Sequence, residues 1–552
     1  MKVNYVISDI IYKELEEAVG PDNVSRHPAV LDSYAFQTYE NHETMPWKER
    51  PVAAVLPAST EEVQEIVKIC NGHGLKYKAF STGWGAWAGA TRDNVVIIDL
   101  RRMNRILDID EKNMYAVVEP YVCSAQLQAE AMKLGLNTHI IGCGPVSSPL
   151  ASATSGFGVG QDGIYMSYSP RNILGLEWVQ PTGEVLRLGT LGSGKGWFCG
   201  DGPGPSLRGI MRGNVGAFSG MGVFTKVALK LFHWPGPPQV KSVGTVSDLK
   251  SEVPEQISIY MIFFPDKKRW NDACYDIGNA EIGYNFVRMG APTIFTGLTP
   301  HLWKKIRATK NISRLLDQTM RFLGFIVLAG TSERNLRYQE NVLRAIVTNH
   351  DGFAIDFRKL PTVMSNFMMN LIRVSFNPLI FRIGGSFSTA LARNDSLDAQ
   401  SDWCETVCDV KNTYIKKDAM IDDMAVNPYY VTYENNTWAH CEVMYEFDPR
   451  NEKHLDALPA ITMDFVISAI ESCMEPGFGL FPAARKVLSP LISNYNQWQK
   501  KLSAAFDPNE ACDKGYYTDE AEFDFSKIAP ERRAKLEKLV SERTWTEMGP
   551  PE

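Results

Sequence analysis

Between residues 50 and 232 the chain alternates short apolar runs with helical patterns, and this alternation constrains the fold most. The run Pro51–Leu56 is followed by the capping box Ser59–Glu62, in which the Ser59 hydroxyl can satisfy a free backbone N–H while Glu62 reaches back. The pattern predicts a helix that starts after Ser59 and ends at Gly72 and Gly74. Its buried face, with the periodicity of a helix, would consist of Val63, Ile66, Val67 and Cys70.

The same region predicts several strands, a second helix and a hairpin. Gly175–Gln180 and Val185–Leu188 flank a Pro-Thr-Gly-Glu turn, which is typical of a β-hairpin. A Pro-rich linker, Trp234–Pro238, then leads into a second block of longer mixed helices and strands, and the last 90 residues favour helices. The other strands are expected at Leu75–Phe80, Val95–Leu100, Tyr115–Glu119 and Gly222–Phe232, and the helix at Ser124–Leu134.

Length and composition limit the class of protein. A chain of 552 residues, 44% hydrophobic and 22% charged, is expected to form two or three ordinary globular domains. The net charge of -7 gives no basic excess for a nucleic-acid partner. Ten scattered cysteines without a CxxC pair argue against a zinc knuckle or an iron–sulfur cluster. Without a leader pattern or a long apolar run, we expect a cytoplasmic protein with no membrane span.

Two glycine patterns imitate nucleotide-binding loops. Gly158–Gly163 fits G-x-G-x-x-G, but no helical apolar stripe follows it to place a helix N-terminus against a pyrophosphate. Gly189–Lys195 imitates a P-loop, but Gly196 stands where Ser or Thr should ligate magnesium, and a Gly- and Pro-rich stretch follows. Neither pattern predicts a nucleotide site.

A third glycine pattern, Ser81–Ala90, lies between a short strand and the strand at Val95. Its glycines allow positive φ and let consecutive backbone N–H groups point at one anion, although a plain turn explains the pattern equally well by itself. The neighbouring motifs decide between the two. In chain order they are Met103–Asp110, Ala116–Pro120, Ser124–Leu127, Leu150–Gly158, Asn172–Glu177, Gly183–Arg187, Gly216–Lys226 and, near the end, Ala504–Asn509.

This ordered series resembles the FAD-binding domain of the vanillyl-alcohol oxidase / p-cresol methylhydroxylase superfamily, over about residues 10–235 and 460–516. The resemblance implies an α+β fold in which FAD lies between two subdomains and its isoalloxazine ring faces a separate α+β substrate cap. It assigns 1–238 to the FAD-binding domain, 239–460 to the cap, and 461–552 to a segment that returns to the FAD domain.

The resemblance also implies which residues contact the cofactor. The pyrophosphate loop would be Ser81, Thr82, Gly83, Trp84 and Gly85. The second cofactor segment would include Ser152 and Gly156, and Gly222 and Val223 would border the adenine half. Members of the superfamily often attach FAD covalently through a His in the pyrophosphate loop. This loop has none, so we expect non-covalent FAD, with a link from elsewhere, such as His440, left open.

Flavin chemistry on a hydroxyl group needs a base and a positive group for a developing oxyanion. His440 is the candidate base. Its stretch is similar to the place where the D-lactate and glycolate dehydrogenase branch carries H-x-G-D-G-N-x-H, but Tyr433 stands at the first histidine. A second motif of that branch is degraded at Met474–Gly479. With these imidazole ligands absent, we expect no catalytic metal.

The candidate catalytic set is therefore His440, Tyr433, Glu434 and Arg382. His440 could equally be a hydrogen-bonded strand residue, and Tyr433 or Tyr430 could be a packed aromatic rather than a donor. Arg382, flanked by apolar residues and a Gly pair, is either an anion clamp or half of a structural ion pair.

Three functions remain open. The first is oxidation of a small alcohol or 2-hydroxy acid, the second is a phenol or benzylic oxidase, and the third is an alkyl-dihydroxyacetonephosphate synthase-like transferase. The histidine triplet typical of that synthase is absent. The expected partners are a small-molecule substrate and an external electron acceptor, namely oxygen, an electron-transfer flavoprotein or an iron–sulfur protein. A homodimer is possible.

Overall fold

The computed structural model describes most of the chain. Three of the candidate site residues, Trp84, Gly85 and Arg382, lie outside the described residues, as does most of the P-loop-like segment. The described residues are 7–35, 50–83, 88–142, 144–156, 158–189, 194, 196–197, 206–211, 216–218, 220–245, 249–298, 302–374, 386–391, 394–474, 482–492, 494–521, 525–526 and 528–543.

The strands are numbered in chain order. They are β1 (Val24–Ser25), β2 (Ala53–Val55), β3 (Lys76–Phe80), β4 (Val95–Asp99), β5 (Ile106–Asp110), β6 (Tyr115–Val118), β7 (Leu136–Asn137), β8 (Ile173–Val179), β9 (Val185–Leu188), β10 (Val223–Lys230), β11 (Phe232–His233), β12 (Ser242–Val243), β13 (Lys250–Ser251), β14 (Ile257–Phe264), β15 (Asn285–Met289), β16 (Phe322–Ala329), β17 (Phe353–Asp356), β18 (Ser386–Leu391), β19 (Asp395–Ser396), β20 (Pro428–Tyr433) and β21 (Trp438–Phe447).

The α-helices are α1 (Asp9–Val19), α2 (Pro28–Asp32), α3 (Thr60–His73), α4 (Ser124–Met132), α5 (Pro149–Ser155), α6 (Gly163–Met166), α7 (Lys267–Asn279), α8 (Ala291–Leu298), α9 (Leu302–Ala308), α10 (Lys310–Thr319), α11 (Glu333–Asn349), α12 (Pro361–Ile372), α13 (Leu397–Lys416), α14 (Glu452–Glu471), α15 (Pro482–Leu488), α16 (Tyr495–Phe506) and α17 (Pro530–Arg543). Short 3-10 helices cover Pro21–Asn23, Ser169–Asn172, Leu207–Ile210, Phe357–Lys359 and Ser489–Ile492.

The N-terminal domain contains two large sheets and a two-stranded sheet of β7 and β11. The first has the order β1-β2-β4-β3, with β2 and β3 parallel to β4, and α1 and α3 contribute to its core. The second is antiparallel with the order β5-β6-β10-β8-β9. The hairpin of β8 and β9 is confirmed, with Gly183 at φ +93° in its turn.

Helix α3, which contributes to the core of the first sheet, shows how the local sequence determines where a helix begins and ends. The Ser59 hydroxyl accepts from the Glu62 N–H at 3.2 Å, and the Glu62 carboxylate accepts from the Ala58 N–H at 2.7 Å, so the predicted capping box forms one residue wider than expected. The helix continues through Gly72 and ends with Gly74 in the left-handed region at φ +66°. The four residues of the predicted apolar face are fully buried.

The G-x-G-x-x-G pattern serves packing. Gly163 only starts the four-residue helix α6, and a Cβ at Gly160 would lie 1.9 Å from the Ile140 carbonyl oxygen. The predicted linker is also packed, because Trp234 is buried and its indole N–H donates to the Pro237 carbonyl.

The second domain, or cap, is built on one antiparallel sheet with the order β17-β14-β16-β15-β20-β21-β18, and β19 pairs with β21. Its outer face packs against α7, α11, α13 and α14. On its inner face Val287, Phe325 and Val431 share one core with Val159 and Tyr168 of the N-terminal domain. The inner face of the cap sheet therefore looks toward the N-terminal domain.

The last part of the chain returns to the N-terminal domain. Cys512 forms a parallel bridge with Tyr77 of β3, and Tyr517 joins the core of the second sheet. The expected domain break after residue 460 lies inside α14, which packs against α13 of the cap. Residues 461–471 continue this helix, and Ile461, Phe465 and Ala469 share a core with α13 of the cap. None of the described helices has the length and apolar character needed to cross a bilayer.

Candidate active site

A cleft with about 880 Å³ of empty space lies between the two sheets of the N-terminal domain. One wall comes from β3 and the loop after it, and the other from α5 and the start of β10. The described lining residues are Ala79–Gly83, Ala88, Leu100, Pro120, Ile141, Ser147, Ser148, Leu150–Ser152, Thr154–Gly156, Phe218, Gly222 and Phe224.

Most of the candidate cofactor residues meet in this cleft. The described ones that line it are Ser81, Thr82, Gly83, Ser152, Gly156 and Gly222. Val223 does not, because its side chain is fully buried in the core of the first sheet, one residue beyond the cleft. The structure thus brings together residues that are more than 140 positions apart in the chain.

Hydroxyl groups join the two walls. The Thr82 hydroxyl accepts from the Ser148 N–H at 3.2 Å, and the Ser81 hydroxyl donates to the Pro120 carbonyl. Gly83 has φ +72°, a conformation that favours glycine. The described lining carries small, apolar or neutral polar side chains and no carboxylate. Such a cleft fits a long, flat cofactor with a doubly negative pyrophosphate, since no acidic group would repel it.

His440 lies on β21 opposite Val431 of β20, so it is on the inner face of the cap sheet. Its side chain is fully buried. The ring Nδ1 lies 2.7 Å from Asn394 Oδ1, and Nε2 lies 3.0 Å from Glu442 Oε1. Both ring nitrogens are engaged, so His440 has no nitrogen left for a substrate while these contacts hold.

Of the two hydrogen-bonded residues His440 and Glu442, only Glu442 reaches the surface. Its side chain is 30% exposed, and its second oxygen, Oε2, has no hydrogen-bond partner in the part of the chain that the structure describes. The sequence reasoning missed Glu442. The spacing of Glu442 from His440 could have indicated it. Residues i and i+2 of a strand share a face, so Glu442 lies beside His440.

The tyrosines of β20 separate by face. Tyr433 lies on the inner face, where its ring packs against Tyr168 at 5.2 Å between centroids, and burial raises the pKa of its phenol. Tyr430 lies on the outer face and donates to the Leu397 carbonyl at 2.8 Å, which takes it away from the cleft. Tyr429, which the sequence reasoning did not single out, touches Gly142, next to the cleft residue Ile141.

Glu434 is not brought to the cleft. It lies in the turn between β20 and β21, where Glu434, Asn435 and Asn436 all have positive φ. Its carboxylate pairs with Arg171 and accepts from the Ser167 hydroxyl at 3.0 Å. Both partners belong to the N-terminal domain, so Glu434 fastens the cap to that domain. In the described ranges, no three His, Cys, Asp or Glu side chains are grouped to hold a metal ion.

Comparison with known proteins matches residues 51–189 to the FAD binding domain family. An uncharacterized FAD-linked oxidoreductase of Mycobacterium tuberculosis is 31% identical over 175 residues, which are 31% of this chain and 37% of that protein. The 4-cresol dehydrogenase [hydroxylating] flavoprotein subunit of Pseudomonas putida is 31% identical over 216 residues, which cover 37% of this chain and 39% of that protein. The chain thus spans less than two fifths of the length of these curated relatives.

The similarity of fold extends much further. A structure of p-cresol methylhydroxylase with bound substrate has a TM-score of 0.72 at 17% identity and covers 93% of this chain and 98% of its own. A structure of alkyldihydroxyacetonephosphate synthase has a TM-score of 0.62 at 15% identity, covering 93% and 87%.

The cleft and the family match define a protein with an FAD-binding domain, and FAD is its cofactor. The fold of p-cresol methylhydroxylase extends over 93% of this chain, with an FAD domain and an α+β cap, as the sequence predicts.

Proposed function

We propose that the protein is an FAD-dependent oxidoreductase that oxidises a small hydroxylated substrate, an alcohol or a 2-hydroxy acid, at the inner face of the cap. The observation that carries the proposal is the pairing of buried His440 with partly exposed Glu442 on that face. A carboxylate held in place by a buried imidazole and open on its other side is an arrangement suited to general-base work.

In this proposal Glu442 is the base, and His440 positions it. Glu442 Oε2 takes the proton of the substrate hydroxyl while Oε1 stays bonded to His440 Nε2. Asn394 in turn fixes the other ring nitrogen. When bound, FAD supplies a two-electron acceptor that takes the hydride from the hydroxyl-bearing carbon at its N5 atom. The carbon loses one hydride and its oxygen one proton, so an alcohol becomes a carbonyl compound.

We assign FAD contacts to Ser81, Thr82, Gly83, Ser152, Gly156 and Gly222, with Trp84 and Gly85 completing the loop. Val223 packs in the core of the first sheet, directly behind the wall of the cleft that Gly222 lines. FAD is held without a covalent link, because none of the described cleft residues has the His, Cys or Tyr side chain that attachment needs. Electrons leave to an external acceptor, either oxygen or a second redox protein.

A phenol or benzylic oxidase is the second candidate. It is favoured by the Tyr429 phenol beside the cleft residue Ile141 and by the identity with the cresol dehydrogenase subunit over the FAD domain. An alkyl-dihydroxyacetonephosphate synthase-like transferase has support from fold alone.

Anaerobic bleaching of the bound flavin separates these functions. Lactate, glycolate and benzyl alcohols test the first, and 4-alkylphenols test the second. We expect a hydroxy acid or an alcohol to bleach the visible absorption band of the bound flavin. Bleaching by alkylphenols alone would replace the first function with the second, and bleaching by none of these compounds would overturn both.

A further inference from the structure

Arg373 caps the C-terminal end of α12 at the junction of the two domains. Three side-chain amides hold this helix end. Asn285 of the cap donates to the Leu371 carbonyl at 2.6 Å, Gln161 of the FAD domain donates to the same oxygen, and Gln128 of α4 donates to the Ile372 carbonyl at 3.2 Å. The position of Arg373 is therefore fixed from both domains.

The one side-chain hydrogen bond that Arg373 makes to the described residues goes to a neutral group. Its Nε donates to Gln128 Oε1 at 3.3 Å. The orientation of that amide is set, because Gln128 Nε2 already donates to Asn137 Oδ1 and to the Ile372 carbonyl. The N–H groups at the end of the guanidinium have no partner among the described residues.

No carboxylate in the described part of the chain pairs with Arg373, although the side chain is partly buried. Burial lowers the pKa of Arg373, since no anion compensates for lost hydration. The adjoining residues 375–385 contain no Asp or Glu. Arg288, which is fully buried in the same cap, contrasts with this arrangement, because Glu405 pairs with it at 2.8 Å.

The guanidinium of Arg373 lies toward the cleft end of α4. Besides Gln128, the group that acts on it electrostatically is the Cys123 thiol, directly before α4. At that end the Ser124 N–H and hydroxyl both donate to the Ser147 carbonyl, and Ser147 and Pro120 line the cleft. A cation with free donors thus stands beside α4, whose N-terminal end adjoins the cleft residues Ser147 and Pro120.

We propose that Arg373 binds the carboxylate of the substrate, so that the substrate class is a 2-hydroxy acid rather than a neutral alcohol or phenol. This inference rests on the proposed function and narrows it. A planar guanidinium can bind a carboxylate through two parallel N–H bonds, which fixes orientation as well as charge. Glu442 would then take the proton of the hydroxyl on the carbon next to that carboxylate.

The test compares matched substrates in single-turnover flavin reduction of the holoenzyme. Lactate is paired with 1,2-propanediol, and mandelate with 1-phenyl-1,2-ethanediol, so that each pair differs at the carboxylate. Oxalate, which cannot be oxidised in this way, is titrated separately by its effect on the flavin spectrum. The variants are Arg373→Met, Arg373→Lys and, as the control, Arg334→Met on the exposed face of α11.

We expect the wild type to prefer each acid over its diol by at least about 100-fold, and Arg373→Met to lose most of that preference and most oxalate binding. Arg373→Lys should keep part of the preference for acids and part of the oxalate binding. Arg334→Met should keep the full preference and the full oxalate binding. Equal rates with acid and diol, or full oxalate binding in Arg373→Met, would overturn the subsite.

Two outcomes separate this inference from the proposed function. If neither acids nor diols reduce the flavin, the proposed function fails, and the oxalate titration still decides whether Arg373 binds a carboxylate. If Arg373→Met loses its FAD, the comparison of Arg373→Lys with wild type decides. An ammonium group replaces the guanidinium in that variant, so unchanged oxalate affinity and unchanged acid preference would contradict bidentate binding.

Discussion

The hydroxyl of Tyr429 in the cap rests against the backbone of Gly142 in the FAD domain, so closely that a Cβ at Gly142 would lie 2.6 Å from it. The ring atoms Cε1 and Cζ would lie at 2.7 and 2.8 Å. Gly142 follows Ile141, which lines the cleft, and Tyr429 lies opposite Glu442 in the cap sheet. This one contact therefore sets how closely the candidate base approaches the cofactor cleft.

Substitution of Gly142 by Ala should displace the cap from the cleft. Because a rigid aromatic ring cannot yield as a flexible chain end would, we expect flavin reduction to slow by about tenfold or more and the melting temperature to fall by several degrees. The double variant Gly142→Ala/Tyr429→Ala removes the clash. If the double variant were no more stable than the added effects of the two single substitutions predict, the contact between Tyr429 and Gly142 would not be the cause of the lost stability.

Filling the cleft should exclude the cofactor. Ala151 of α5 is partly exposed in the cleft, so Ala151→Phe should weaken FAD binding by about 100-fold or more because a ring occupies the space of the cofactor. Ala129→Phe places the same ring on the exposed side of α4 and should leave FAD binding unchanged. FAD titration of the apoproteins measures both. Equal affinity in the two variants would place FAD elsewhere.

The flavin should be released by acid. The described cleft lining has no nucleophilic His, Cys or Tyr side chain, so we expect trichloroacetic acid to leave all of the yellow colour in the supernatant. A fluorescent protein band in a denaturing gel would instead show a covalent link and contradict this expectation.

Glu177 of β8 links helix α3 to the second sheet of the FAD domain and makes the stability of the domain depend on pH. Its carboxylate accepts from Thr60 of α3 at 2.6 Å, Lys226 of β10 at 2.7 Å and Arg187 of β9 at 2.9 Å. Burial opposes ionisation, but these hydrogen bonds outweigh it and lower the pKa of Glu177 from 4.5 to about 2.

Glu177→Gln should therefore lower the free energy of unfolding by about 2 kcal/mol at pH 7. Because the folded-state pKa is depressed, the advantage of the wild type is complete above about pH 4.5, the ordinary value, and is lost as pH falls toward 2. Urea unfolding at pH 7 and pH 3 checks both statements. A difference between the two proteins that does not shrink at pH 3 would contradict the role assigned to the charge.

Local patterns allowed much of the FAD domain to be predicted. The capping box of α3, the hairpin turn at Gly183 and the strand at Val95 each carry a strong short-range signal. Ser81 and Ser152, which the ordered motifs assign to the cofactor, line the same cleft.

The cap could be predicted less well, because its site depends on strand faces and on the register between distant strands. Glu434 looked catalytic beside Tyr433, but the consecutive left-handed residues Glu434–Asn436 form a turn that faces Arg171. Strand spacing alone puts Glu442 on the same face as His440, but only the sheet pairing shows that this face is the inner one and that Tyr429 shares it. Arg373 could not be distinguished from other arginines without knowing that no described carboxylate is near it.

The most direct test of the central claim is anaerobic single-turnover reduction of the flavin by a hydroxy acid in Glu442→Gln. The amide cannot accept the hydroxyl proton, so we expect the reduction rate to fall by about 100-fold or more with the FAD content unchanged. His440→Gln should cause a smaller loss, and Glu452→Gln, at an exposed carboxylate on α14, should cause none. Reduction of Glu442→Gln at the wild-type rate would contradict the assignment of Glu442 as the base.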